Sequence, residues 1–190
     1  MSISYALTRA PAADTACGVL VLALVVATAT DLAKRRIPNW VTFPAALAGL
    51  LIHALNGGRW WFASSLLSFL LWSVVGIGFW SLSRGQGIGA GDVKMVMASG
   101  SLLGAWPTLY VYFLSNLAQV AYLFLRWLVT GTLWANAKLL GTWLTSLLAP
   151  NTKVVHFKPV GMEDKTPHAP FMLLGAIVTI YLSRKGVLPW

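Results

Sequence analysis

Apolar residues in this chain come in long unbroken runs, and polar residues are gathered into the gaps between them. Runs at about 16–33, 40–56, 60–82, 93–105, 107–128 and 168–183 read as six helical spans. Several approach the roughly 20 residues that carry a helix across a bilayer. Barrel strands would alternate apolar and polar residues, which these runs do not. Helices therefore remain the one way to satisfy the backbone in lipid. "LNGGRWW" at 55–61 predicts a turn between the second and third spans, with tryptophans suited to the membrane interface. "IPNW" at 37–40 opens the second span, since proline is tolerated in a first helical turn.

One stretch fits this pattern less well. Residues 127–149, "WLVTGTLWANAKLLGTWLTSLLA", place Lys138 near the middle of an apolar segment. Trp134, Leu140, Trp143, Leu144, Leu147 and Leu148 suit a helix lying in the membrane interface, and this is preferred over a seventh span. The polar segment 151–170 then reads as a cytoplasmic loop. The expected fold is all-α: one membrane-embedded domain over 1–190, with an interfacial and cytoplasmic segment at about 129–166.

Composition agrees. The 190 residues are 57% hydrophobic and 10% charged, against about 25% charged in a soluble domain. The net charge of +9 lies on residues flanking the spans rather than in one dense patch. It therefore speaks for orientation and anionic lipid, not nucleic acid. With the amino terminus outside, ten of the 14 Lys and Arg residues fall inside, among them Lys34, Arg35, Arg36 and Lys94. Arg9, Arg59, Arg184 and Lys185 fall outside, and inversion would reverse the bias. Ala27-Thr28-Ala29 has the form of a signal-peptidase site, but the basic triplet that follows favours a retained span. Cys17 is the single cysteine, which excludes an intrachain disulfide and a Cys-rich zinc module. His53, His156 and His168 show no ligand spacing, so neither a metal nor another cofactor is expected.

Of the five acidic residues, Asp14 lies in the amino-terminal tail, and Glu163 and Asp164 lie in the loop. Only Asp31 and Asp92 touch the spans, where charge is costly and commonly functional. Asp31 ends a span running inward and Asp92 opens one running outward, so both belong at the cytoplasmic edge. Asp92 is suited to capping its helix. Asp31 sits near a helix C-terminus, where negative charge is disfavoured, and Lys34 or Arg35 is within pairing reach. Two carboxylates sharing a proton activate a water and protonate a leaving group. The same pair serves equally as a proton relay in a small transporter. Gly89 and Gly91, just before Asp92, allow close backbone approach.

"DLAKRRIPN" (31–39) and "GAGDVK" (89–94) together resemble the two aspartate motifs of the type IV prepilin peptidases, the GxGD aspartic peptidases of bacterial inner membranes. "TPHAPFMLLGA" (166–176) is similar to the family's proline-containing approach to its last span, with His168 where a tyrosine is common. The resemblance implies a six-span peptidase that cleaves leaders from pilin-like precursors at the cytoplasmic face, needing no cofactor. Asp31 and Asp92 carry over as the catalytic pair, and Gly89, Gly91 and Lys94 as motif residues at the point of substrate access. The chain resembles the short Flp/Tad form, which lacks the Cys-rich insertion of members that also methylate the new amino terminus. The implied partners are a prepilin-like precursor, membrane lipid, and pilus or secretion machinery. A non-enzymatic assembly factor descended from such a peptidase is the other reading, although both aspartates are present.

Overall fold

The computed structural model describes residues 11–82, 89–148, 160 and 166–188. These residues are helical apart from short connections, in two units: 1–118 with 167–190, and 119–166. Of the expected loop at 151–170, residues 151–165, with His156, Glu163 and Asp164, lie outside the described residues apart from Val160, and the last helix already begins at Ala169.

The first unit begins with α1 (Pro11–Lys34). Ala16, Leu20, Leu24, Ala27 and Asp31 form its buried stripe, spaced three or four residues apart as one helix face requires. Asp31 is thus the last member of the face that packs inward. The helix ends at Arg35, whose φ of 53° is left-handed and whose N–H reaches the Asp31 carbonyl at 2.9 Å. This is a C-terminal motif usually built on glycine.

α2 (Asn39–Leu82) breaks into two helices within the expected turn, at Gly58, whose φ of 70° and ψ of −170° are non-helical. Glycine reaches that conformation without steric penalty. The second and third expected spans therefore fall on the two arms of α2 either side of Gly58, and the first arm starts one residue after Pro38. Two shorter steps follow: α3 (Ala90–Leu103) and α4 (Ala105–Val129). Gly104 separates them at φ 89°, a conformation open to glycine. α6 (Ala169–Arg184) returns against α1, with Ala169, Met172, Ala176, Thr179 and Ser183 facing inward. Gly175 lets α6 approach α4 closely, since a Cβ there would lie 2.6 Å from the Val111 carbonyl oxygen.

Three described helices, Ala13–Lys34, Gly58–Leu82 and Ala105–Val129, are long and apolar enough to cross a membrane. The expectation was six. The helix that overlaps the expected fourth span, α3, has 14 residues. That is about 21 Å, short of the ~30 Å hydrocarbon core. α6, at 16 residues, is apolar but short.

In the second unit, Gly131 (φ 68°) closes α4, with Thr132 N–H on Trp127 O and Gly131 N–H on Leu128 O. α5 (Leu133–Leu148) follows, shorter than the 127–149 stretch read from the sequence. Asn136, fully buried, grips the backbone of Val160 from both sides: its Oδ1 accepts Val160 N–H at 2.7 Å and its Nδ2 donates to Val160 O at 3.3 Å.

Candidate active site

Asp31 is 7% exposed. Its Oδ2 accepts the Ala169 N–H at 3.1 Å, 138 residues away in the chain. Ala169 is the first residue of α6, so its amide is one of those a helix leaves without an internal partner. The carboxylate that α1's own C-terminus repels is thereby held at the positive end of another helix. Nothing in the apolar pattern around 31 announces that partner. The signal was split between the stripe ending at Asp31 and the prolines at 167 and 170, which set where α6 begins.

Asp92 is the third residue of α3 and half-buried. Its Oδ2 accepts the N–H of Gly89, at 3.2 Å. The capping expected of Asp92 is present, as a reach back over the helix start from the third position. Gly89 must lack a side chain for this contact, because a Cβ would stand 2.9 Å from the same oxygen.

The two aspartate segments meet directly. A Cβ on Gly91 would lie 2.9 Å from Ile37 Cβ and 3.3 Å from Ile37 O. The start of α3 therefore rests on the short connection that follows Asp31. Lys94 adds a second tie: its Nζ donates to Asn39 Oδ1 at 2.8 Å and lies 5.7 Å from the centre of the Phe43 ring. Residues 31–39 and 89–94 thus form one corner of the first unit, with Asp31 and Asp92 both in it.

His168 stands at the edge of the expected last span, immediately before α6 and outside that helix. Its carbonyl accepts the N–H groups of Phe171 (3.0 Å) and Met172 (3.1 Å). Burial holds its imidazole below the usual histidine range, and the charge of Asp31 opposes that shift. Sequence reasoning noted His168 only as a departure from a pattern; the fold places it one residue before the amide that the Asp31 carboxylate accepts. Among the described residues, no three His, Cys, Asp or Glu side chains gather to hold a metal ion.

Chemically, the corner offers two carboxylates in unlike settings. One is buried against a helix amide, and the other is half-buried at a helix start.

A family model described as the type IV leader peptidase family matches residues 18–124, more than half of the chain, and includes both aspartates. Over 122 residues the chain is 32% identical to a curated prepilin leader peptidase/N-methyltransferase of Aeromonas hydrophila. That alignment takes in 60% of this chain and 40% of the relative's length. No solved structure matches.

Proposed function

The chain belongs to the type IV leader peptidase family, and on that premise we propose that it is a membrane aspartic endopeptidase with Asp31 and Asp92 as its catalytic pair. The observation that carries this reading is the meeting of 31–39 with 89–94, where Gly91 lies on Ile37 and Lys94 on Asn39. It gives two carboxylates distant in sequence one shared corner.

In the proposed reaction, one ionised aspartate takes a proton from a water, whose oxygen attacks the scissile carbonyl carbon. The other aspartate, protonated, donates to the carbonyl oxygen. Collapse of the tetrahedral intermediate breaks the C–N bond, and the departing amine takes a proton from the pair. Gly89 serves by leaving the Asp92 carboxylate room, and Gly91 and Lys94 by fixing the segment that carries it.

The proposed substrate is a pilin-like precursor of the Flp/Tad type, cleaved at the cytoplasmic face of a bacterial inner membrane. The charge bias across the spans supports that orientation. The six-span arrangement is part of the same proposal, with α3 and α6 as short spans. The relative's name includes a methyltransferase; the proposal for this chain is the peptidase step alone.

Co-expression with candidate precursors, read as a size shift on a gel, tests it. Asp31→Asn and Asp92→Asn each abolish processing in this mechanism, and the double variant is no worse than either. Asp14→Asn, on the exposed pair with Arg184 at 2.6 Å, processes normally. Wild-type processing by either single site variant, at matched membrane levels, would rule the mechanism out.

A further inference from the structure

At the corner where α6 meets α1, the Ala169 amide is fixed on Asp31 Oδ2 at 3.1 Å. The residue before it, His168, is held by two backbone bonds to the first turn of α6 and is half-buried. His168 is thus one residue along the chain from the amide that the carboxylate accepts, and the Asp31 charge favours the protonated imidazole against its burial. We propose that His168 is a positioning residue of the aspartate site, which on taking a proton pairs with the Asp31 carboxylate and withdraws it from substrate, so that processing is switched off on the acid side. This rests on the peptidase reading above.

The neighbouring charges leave Asp31 as the group that matters. On α1 and the segment after it, Lys34, Arg35 and Arg36 are exposed. On α3, Asp92 is engaged with Gly89 and Lys94 with Asn39. On α4, Tyr110 and Tyr112 follow closely on the junction with α3, at the far end of α3 from Asp92. The direction follows from burial. An imidazole that resists protonation stays neutral near neutral pH and takes up its proton only on the acid side. Protonation then puts a cation beside a carboxylate that already holds one backbone N–H. The pair competes with substrate for the same oxygens.

Two measurements on the full chain in lipid nanodiscs test this. The first is NMR titration of labelled histidine, with the His168 signal identified by its loss in His168→Gln. Asp31→Asn keeps an amide oxygen for the Ala169 N–H but removes the charge. It lowers the His168 titration point by about half a pH unit or more if the two groups face each other. An unchanged point overturns the pairing. The second is precursor processing at about pH 5.5 relative to about pH 7.5. The wild type loses about tenfold per pH unit below the imidazole's titration point, and His168→Gln loses clearly less. Parallel acid limbs for the two proteins overturn the switch. Absence of processing by the wild type at every pH defeats the peptidase reading, and the titration still confirms or overturns the Asp31–His168 pairing.

Discussion

Gly91 shows how a missing side chain joins the two halves of the candidate site. Ile37 occupies the space beside it, and the nearest atoms are Cβ and backbone rather than the flexible end of a side chain. Even Gly91→Ala therefore forces the connection after Asp31 to move, at a cost of about 1–3 kcal/mol for overpacking. The expected outcome is a lower thermal midpoint in detergent and a lower mature-to-precursor ratio, with Gly91→Val worse than Gly91→Ala. Pairing Gly91→Ala with Ile37→Gly removes the clashing Cβ, so the two losses should be less than additive. Strict additivity would show that the contact does not matter. The sequence made both aspartates legible, because a carboxylate beside an apolar run has few structural reasons to be there. It did not make their contacts legible. An amide 138 residues from Asp31 and the face that Gly91 turns to Ile37 depend on how helices pack, and a helix apolar on every side carries no mark of its inner face.

Side chains of α2 satisfy carbonyls at the end of the helix that carries Asp92. The Ser101 carbonyl accepts from Ser65 Oγ at 2.6 Å, and the Leu102 carbonyl lies 3.0 Å from His53 Nε2. Trp72 Nε1 donates to the Ala105 carbonyl just beyond, at 3.2 Å. A carbonyl only accepts, so Nε2 of His53 must carry the hydrogen. His53 is 6% exposed, and in apolar surroundings the Leu102 carbonyl has no water to replace it. His53→Leu should cost about 1–3 kcal/mol for the orphaned carbonyl, whereas His53→Gln keeps a donor and should recover part of it. Thermal unfolding of the two variants in one detergent checks the order, and equal losses would mean that packing volume rather than the hydrogen bond matters. Run lengths located the helices to within a few residues. They could not show that 40–56 and 60–82 are parted by a single non-helical residue, Gly58, because a glycine pair reads the same in a loop and at a kink.

Across the whole molecule, the sequence speaks most clearly through its charges, since orientation depends on where Lys and Arg lie rather than on packing. The exposed cations Lys34, Arg35 and Arg36 follow α1 immediately, and Asp14 pairs with Arg184 where α1 begins and α6 ends. That pair sets the α6 C-terminus beside the start of α1, and the Ala169–Asp31 bond sets the α6 start beside the end of α1. α1 and α6 are therefore antiparallel, which requires an even number of crossings between them and puts the start of α1 and the end of α6 on the same side. Single cysteines in a Cys17→Ala background read this directly in right-side-out vesicles treated with an impermeant thiol reagent. Asn56→Cys and Val187→Cys, at exposed positions, should label, and Arg36→Cys should be protected until the membrane is opened. Val160→Cys decides the second unit: protection fits an α5 lying along the interface, and labelling beside a protected Arg36→Cys means that α5 crosses, an odd count that the antiparallel pairing of α1 and α6 does not allow. Labelling of Arg36→Cys with protection of Asn56→Cys would turn the chain over. Both aspartates would then lie at the outer face, where a cytoplasmic precursor could not meet them.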